Sequence, residues 1–342
     1  ASGWAPPTPG PGFASRWLGS GSSLAADHAA AGGFETAADL LRRQLGLATL
    51  APLEDALLAT RQAAVAAVPT LPGLPPVAAP VAADTAATRP AAPVSVTSLV
   101  NNLRDVYTAF QSGSFPATSA ACDVVFSRIP LCAATTRAEE REVKEVLESA
   151  REYKLACLVE LARRAVNPAE DPKRVLELAA YLTHCRLQPP HRILTLDLAM
   201  SLSFKLKNFA SAESFAQRLL ETPEATGPAF APRVAKAQKV VSRAQAMGRN
   251  TVAIDYDPRN PFEICGASLT PVYRGQPSVT SPFSGARYRP EFAGEVCRID
   301  GCATVGEETT GLVCFRPDHA RPSASAAAAA AAAAAPISSP PA

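Results

Sequence analysis

Apolar residues recur at helical spacing over most of the chain. Leu99, Leu103, Val106 and Phe110 fall on one face of a helix with 3.6 residues per turn. The same periodicity continues to about residue 249 and is interrupted only by short loops, which predicts antiparallel helical hairpins. We therefore expect a mainly α fold, in which an irregular solenoid of helical hairpins is followed by a small β-rich C-terminal unit.

Three segments share one spacing of aromatic and small residues. Each begins with a Phe, at positions 34, 115 and 209, and continues with small or apolar residues three, seven and ten or eleven positions later. These positions share one helix face, and the small residues let a second helix approach closely. The pattern is typical of the second helix in a tetratricopeptide-like hairpin, although separations of roughly 80 to 95 residues do not fit a regular 34-residue array. A generic amphipathic helix would show the same periodicity.

Composition and pattern together divide the chain into six segments. Helical spacing is lost after Gly248, where Pro, Gly, Tyr and Phe become frequent. There, EVCRIDGCATV and TTGLVCF predict two strands joined near Gly306, as a hairpin over residues 295–315. The predicted segments are a flexible leader (1–22), a short helical segment with two helices (23–67), a Pro/Ala linker (68–93), the α-helical hairpin domain (94–249), the β-rich unit (250–316) and a low-complexity Ala-rich tail (317–342).

Helix ends are marked by specific residues. Thr136 and Glu139 have the spacing of a capping box at the start of a long charged helix. Asp171 precedes Pro172, an arrangement that predicts an N-cap followed by proline at the first helical position. Pro130 is expected to end the helix before it.

Charge and composition restrict the possible functions. The 33 Lys and Arg residues are nearly balanced by 31 Asp and Glu residues, and the basic residues are dispersed, so we predict no nucleic-acid binding. Alanine supplies 69 of 342 residues, and the core must therefore come from selected segments. We predict no transmembrane helix, because the sequence has no long charge-free apolar run outside the Ala-rich tail. We predict no secretory signal, because the sequence does not begin with a basic segment followed by an apolar one.

Candidate catalytic residues are few. Nucleotide-binding, metalloprotease and nucleophile-elbow motifs do not occur in the sequence. His184 stands beside Cys185, but neighbouring helix positions point about 100° apart, which makes the pair a poor nucleophile–base dyad. We predict no enzymatic activity, no cofactor and no small-molecule substrate.

Eight cysteines raise the question of disulfides or metal. Without a secretory signal, we predict buried, reduced thiols. A cluster within about 55 residues of the C-terminal unit is the candidate zinc site: Cys265, Cys297, Cys302, Cys314 and His319. Structural zinc sites use CxxC turns, which this region lacks, and Cys297 and Cys302 on one predicted strand would point to opposite faces.

Four long segments resemble the C-terminal region of the α subunit of coatomer, the cytosolic coat of Golgi-derived vesicles. They are SLAADHAAAGGFETAADLLRRQLG, the stretch AYLTHCRLQPPHRILTLDLAMSLSFKLKNFASAESFAQRLLE, YDPRNPFEICGASLTPVYRG and SPFSGARYRPEFAGEVCRI. The resemblance covers about residues 20 to 315, and the segments 181–221 and 256–298 are the most specific. The propellers that read cargo in full-length members are not in this sequence, so cargo recognition is not implied.

The resemblance implies a structural role. A coat scaffold module would bind the ε subunit, a tetratricopeptide-repeat protein, together with other coatomer subunits. It would act in retrograde Golgi-to-ER and intra-Golgi vesicle transport, in the cytoplasm and peripherally on Golgi membranes and coated vesicles through the coat. The predicted interface residues are Tyr256, Phe262, Tyr273, Tyr288, Phe292, Val296, Ile299, Leu312 and Phe315, although each aromatic could instead hold the small unit together. A degenerate zinc-ribbon adaptor that regulates coat assembly is the alternative.

Overall fold

A computed structural model describes residues 22–66, 77–78 and 94–315. The predicted leader (except Ser22), most of the predicted linker, the Ala-rich tail and His319 lie outside the described residues. Within these ranges the α-helices are α1 (Ala25–Ala31), α2 (Phe34–Leu45), α3 (Glu54–Ala63), α4 (Val96–Gln111), α5 (Phe115–Arg128), α6 (Arg137–Ala165), α7 (Pro172–Leu182), α8 (Pro189–Lys205), α9 (Phe209–Leu220) and α10 (Ala231–Met247).

Short strands accompany the helices. They are β1 (Val65–Ala66), β2 (Val77–Ala78), β3 (Phe262–Ile264), β4 (Pro271–Tyr273), β5 (Val279–Thr280) and β6 (Arg287–Tyr288). The pairs β1–β2, β3–β4 and β5–β6 are antiparallel. The predicted fold class, helical hairpins followed by a small β-rich unit, is confirmed; its likeness to tetratricopeptide repeats stays a prediction.

Three helical hairpins, α1–α2, α4–α5 and α8–α9, share one tight turn. Each turn has a left-handed residue, with φ of 85° at Gly32, 74° at Gly113 and 59° at Lys207. The next residue donates its backbone N–H to the carbonyl five positions earlier, and the Phe of the repeated pattern then begins the second helix. The positions predicted to share a face behind it are mostly buried, including Leu41, Cys122 and Ala216. The repeated spacing in the sequence therefore marks a repeated turn.

The first helical segment differs from its prediction. It contains three helices where the sequence predicted two, because Gly32 adopts a left-handed conformation and ends α1. Gly32 donates its N–H to the carbonyls of His28 and Ala29, which satisfies the end of that helix.

Helix caps follow the sequence with one change. Thr136 accepts a hydrogen bond from the Glu139 N–H at 3.1 Å, but the Glu139 carboxylate accepts from the Thr135 N–H at 2.6 Å rather than from the cap residue. The predicted capping box is thus only half formed. Asp171 accepts from the Arg174 N–H at 2.9 Å, as the prediction of an N-cap requires.

One apolar core joins the helices to the C-terminal unit. It runs from α1 through α7 into residues 264–314, while α8, α9 and α10 form a second cluster. Phe126 of α5 and Phe283 of the C-terminal unit meet edge to face, with ring centroids 6.1 Å apart, and both side chains are buried. The small unit is therefore part of the main core and does not stand apart from it.

The predicted hairpin over residues 295–315 is wrong. Residues 295–305 fold back on themselves, with Val296 and Thr304 bridged. Residues 310–315 instead lie along the helices, where Thr310 donates its N–H to the Arg43 carbonyl and Ala134 donates to the Cys314 carbonyl. Gly306 is left-handed, with φ of 82°, and the polar residues 307–310 follow it. The chain therefore turns away from the hairpin at this point.

The C-terminal unit repeats one turn three times: the first turn (265–270), the second turn (281–286) and the third turn (297–303). Each closes a short antiparallel pairing, and its opening residues, Cys265, Ser281 and Cys297, are evenly spaced at 16 positions. The carbonyl of each opening residue accepts the N–H of the residue four positions later, which is left-handed in every case, with φ of 53°, 68° and 72°.

Each turn contacts a different part of the helical region. Arg174 of α7 donates to the Ser268 carbonyl in the first turn at 3.0 Å, and Arg151 of α6 donates to the Ser284 carbonyl in the second at 3.2 Å. The third turn pairs with the chain after α2, where Ala48 donates its N–H to the Cys302 carbonyl at 2.8 Å. The repeats thereby connect two helices, α6 and α7, and the chain after α2 to one small unit.

Candidate partner interface

Three predicted interface aromatics form a cluster at the junction with α7 and α9. The rings of Phe262 and Tyr273 lie 5.4 Å apart, and Phe262 lies 6.0 Å from Tyr181. Tyr256 lies 5.9 Å from the Phe215 ring of α9. All three predicted residues are half-buried, so each packs internally and still presents part of its ring to solvent.

A chain of half-buried polar side chains crosses the same junction. Arg218 donates to the Tyr256 hydroxyl at 3.0 Å, and that hydroxyl lies 2.7 Å from His184 Nε2. Because a guanidinium can only donate, the Tyr256 hydroxyl accepts from Arg218 and its own proton is available to donate to His184 Nε2. Burial, with the nearby Arg218 charge, lowers the pKa of His184 to about 4. Burial also raises the pKa of the Cys185 thiol well above its ordinary value. The Nε2 atom of His184 is paired with Tyr256 and not with this thiol.

A groove runs beside this cluster. Phe262 and Tyr273 line it together with three basic residues, Arg186, Arg274 and Arg287. Arg287 is held by Glu263, with Nε and Oε2 2.7 Å apart. The groove combines aromatic walls with positive charge, which suits a partner segment that carries acidic and apolar side chains.

Two predicted interface residues are internal. Tyr288 and Ile299 are 1% and 0% exposed. The Tyr288 hydroxyl accepts the Arg298 N–H at 2.9 Å and lies 3.1 Å from Cys297 Sγ, and burial raises the Tyr288 pKa. Any effect of these two residues on a partner would act through the fold of the unit.

The remaining predicted residues lie at the edge of the unit. Val296, in the 295–305 hairpin, is 46% exposed. Phe292 is half-buried, and the Arg298 guanidinium lies 5.8 Å from its ring. Leu312 and Phe315 are half-buried, with the Arg137 guanidinium 4.3 Å from the Phe315 ring. Val296 is thus the most exposed of the nine predicted interface residues, all of which lie among the described residues.

All eight cysteines lie among the described residues and are buried free thiols, as predicted. Burial is the main reason why the pKa is raised to about 12 for Cys132 and to about 11 for Cys297 and Cys314. Cys297 and Cys302 lie in the third turn, so their predicted place on one strand is wrong. In the part of the chain that the structure describes, no three His, Cys, Asp or Glu side chains are grouped closely enough to hold a metal ion.

Sequence reasoning missed two features of this region. Arg186 borders the groove although nothing in its local sequence marks it, because the contact depends on how α7 meets β3 and β4. The cluster of Ser281, Ser284, Cys297 and Asp300 was also missed. Its signal was present: the even spacing of the three turns, which a search for cysteine pairs alone does not detect.

The arrangement defines a class of protein. Two of the helical hairpins share one core with a small turn-rich unit that presents a groove and an exposed edge, an all-helical framework with a β-rich end. Within the described ranges, no helix combines the length and apolar character needed to cross a membrane.

The family described as the C-terminus of the coatomer (COPI) alpha subunit matches residues 1–319, and the chain belongs to that family.

Individual relatives agree with this assignment. Coatomer subunit alpha-2 of Oryza sativa subsp. japonica is 38% identical over 302 residues, which cover 86% of this chain and 24% of the relative. Coatomer subunit alpha-1 of Arabidopsis thaliana is 36% identical over 300 residues with the same coverage. Coatomer subunit alpha of Dictyostelium discoideum is 31% identical over 317 residues, 90% of this chain and 25% of the relative. The chain thus spans about a quarter of the length of these relatives.

Proposed function

We propose that this chain is a structural scaffold module of the coatomer coat that binds the ε subunit in retrograde Golgi-to-ER and intra-Golgi vesicle transport. It would work in the cytoplasm, peripherally on Golgi membranes and coated vesicles through the other coatomer subunits. Membership of the coatomer α C-terminal family is the observation that carries the proposal. A helical scaffold whose thiols are buried and whose His184 Nε2 is paired with Tyr256 suits a binding role rather than an enzymatic one.

The exposed edge of the 295–305 hairpin is our choice for the contact with the ε subunit. Val296 presents an exposed apolar side chain there, and the half-buried Phe292 lies four positions earlier in the sequence. A helical-repeat partner has a concave surface, which can enclose a narrow hairpin and remove such side chains from water. The interface would therefore be centred on Val296, with Phe292 beside it.

The direct test compares two valines. The chain and the purified ε subunit are mixed, and the affinity is measured by isothermal titration calorimetry. Val296→Asp should weaken binding about tenfold or more, because it places a charge in an apolar contact. Val124→Asp, on α5, is the matched control, since Val124 is 40% exposed and lies away from the hairpin; it should leave the affinity unchanged.

The outcomes separate the proposal from its details. Unchanged affinity in Val296→Asp would remove the hairpin edge as the interface. The groove would then be tested with Arg186→Glu against Arg243→Glu, an exposed arginine of α10. A folded wild-type chain that shows no binding of the ε subunit at all would contradict the proposed function itself.

A further inference from the structure

The second and third turns of the C-terminal unit have matching sequences. The second reads Ser-Pro-Phe-Ser-Gly from Ser281, and the third reads Cys-Arg-Ile-Asp-Gly from Cys297. In both, the side chains of the first and fourth residues are buried and the fifth residue is a left-handed glycine. Each turn closes an antiparallel pairing: β5 with β6 for the second, and the bridge of Val296 to Thr304 for the third.

The first and fourth side chains of both turns meet at one point. The Ser281 and Ser284 hydroxyls lie 2.8 Å and 2.7 Å from Asp300 Oδ2. Ser284 Oγ also lies 3.6 Å from Cys297 Sγ. All four residues are at most 3% exposed, so the cluster is sealed from solvent.

Asp300 is the centre of this cluster. Its Oδ2 accepts both serine hydroxyls, and its Oδ1 accepts the N–H groups of Cys302 and Ala303 at 3.1 Å and 2.9 Å. A buried carboxylate is tolerated when several donors surround it, and here these four donors and the Cys302 thiol, 3.7 Å from Oδ1, converge on its two oxygens. Asp300 therefore links the two turns by hydrogen bonds.

Paired turns of this kind hold zinc in other proteins. A structural zinc site takes two ligands from each of two turns with two residues between them, and each turn ends a short hairpin. The positions of Ser281, Ser284, Cys297 and Asp300 meet that spacing, with one cysteine among the four. We propose that the two turns form a zinc-ribbon core whose metal is replaced by the Asp300 carboxylate, and that cysteines at positions 281, 284 and 300 would complete a tetrathiolate metal site.

The native side chains suit hydrogen bonds rather than a metal. Four sulfurs around zinc, each at about 2.3 Å from the ion, are separated by roughly 3.8 Å. The serine and aspartate oxygens stand 2.7–2.8 Å apart, a distance at which each hydroxyl proton bridges the two oxygens. Neutral hydroxyls are also not among the usual ligands of zinc, which are thiolate, imidazole and carboxylate.

The first turn supplies an internal comparison. Cys265 and Ser268 occupy its first and fourth positions, yet Ser268 Oγ bonds only to Thr270 Oγ1, 2.7 Å away within the same turn, among its side-chain contacts. The Ser268 and Leu269 carbonyls are held by Arg174 of α7. Because the fourth side chain of this turn bonds within the turn, whereas those of the other two turns bond to each other, Ser268→Cys creates a CxxC sequence without a second pair of ligands.

Cobalt(II) titration of the full chain tests the proposal. The triple variant Ser281→Cys, Ser284→Cys, Asp300→Cys should take up about one equivalent, with the visible absorption of tetrahedral cobalt and a thiolate charge-transfer band, and zinc should displace it. The wild-type chain and Ser268→Cys should show neither feature. The native thiols remain in all three proteins, so they provide the same background.

A third variant tests the role of Cys297. Adding Cys297→Ser to the triple variant removes one ligand, and the affinity for cobalt should fall about tenfold or more with loss of the tetrathiolate spectrum. A triple variant that gains metal, or that is unfolded by circular dichroism and folds when zinc is added, supports the proposal. It is overturned if the triple variant folds without taking up metal, stays unfolded with zinc, or if the wild-type chain itself binds one equivalent in a tetrahedral site.

Discussion

The helical hairpins and the C-terminal unit each repeat one turn three times, but different interactions fix the turn. In the helical hairpins, a Phe and the small residues behind it pack against the partner helix, and the polar atoms of the turn are satisfied by backbone bonds. In the C-terminal unit, side-chain hydroxyls, a carboxylate and arginines hold the loops. Repetition of a turn therefore leaves an apolar periodicity in one region and a constant spacing of polar residues in the other.

This difference decides which changes each region tolerates. A helix face accepts apolar substitutions of similar volume, because packing lacks strict direction. A cluster such as that of Asp300 accepts few, because each buried donor needs its acceptor. The following substitutions test that contrast, from the largest expected effect to the smallest.

Phe126→Ala should have the largest effect, since it removes a fully buried ring that touches both regions. We expect the free energy of unfolding to fall by about 3–5 kcal/mol, from lost burial and the cavity that remains. Phe283→Ala tests the same contact from the other region, and the double mutant should show a coupling of about 0.5–1.5 kcal/mol in urea denaturation. Val124→Ala on the exposed side of α5 is the control. Strictly additive losses would show that the two regions do not depend on this contact.

Asp300→Ala should come next, at about 2–4 kcal/mol, because it removes the carboxylate acceptor shared by two buried hydroxyls and two N–H groups. Thermal and urea denaturation measure the loss. Glu295→Ala is the control, since this carboxylate side chain in the same hairpin is 51% exposed and should cost under about 1 kcal/mol. Equal effects of the two substitutions would contradict a structural role for the Asp300 cluster.

Gly266→Ala tests close packing in the first turn. An added Cβ would lie 2.7 Å from the Tyr288 ring and hydroxyl, so the buried ring must move. We expect a loss of about 1–3 kcal/mol from this overpacking. Ser268→Ala, two residues on, removes only a hydrogen bond within the turn and should cost about 1 kcal/mol or less. A harmless Gly266→Ala would mean that Tyr288 is loosely held.

The smallest effect concerns pH. The pKa of His184 falls from its ordinary 6.5 to about 4 in the folded chain, so the unfolded chain binds more protons between these values. Stability that is present above pH 6.5 should decline as the pH falls towards 4, by about 1 kcal/mol after allowance for the partial exposure of the ring. His184→Gln should flatten this part of the profile measured by urea denaturation at several pH values. A variant with the wild-type slope would exclude His184 as its source.

The sequence predicted the helical region well because one rule governs it. Leu99, Phe110 and Cys122 lie on buried faces as their spacing requires. The same rule failed after Gly248: the expected strand pair at 295–315 rested on β-branched residues, whereas Gly306 directs the chain away to the helices. The even spacing of Cys265, Ser281 and Cys297 indicates a repeated turn, but the contact between Ser281 and Asp300 depends on how two of these turns pack together.

The hydrogen bonds between residues 302–310 and residues 43–48 have a consequence for the order of assembly. The Thr310 hydroxyl donates to the carbonyl of Arg43, which lies 267 positions earlier in the chain. Ala48 donates its N–H to the Cys302 carbonyl, and Thr304 donates its N–H to the Gly46 carbonyl. During synthesis, the first helices leave the ribosome long before their final partners exist. We expect α1–α3 to remain only loosely protected until the C-terminal turns are made, so that a chain ending before residue 297 would show fast amide exchange at Ala48.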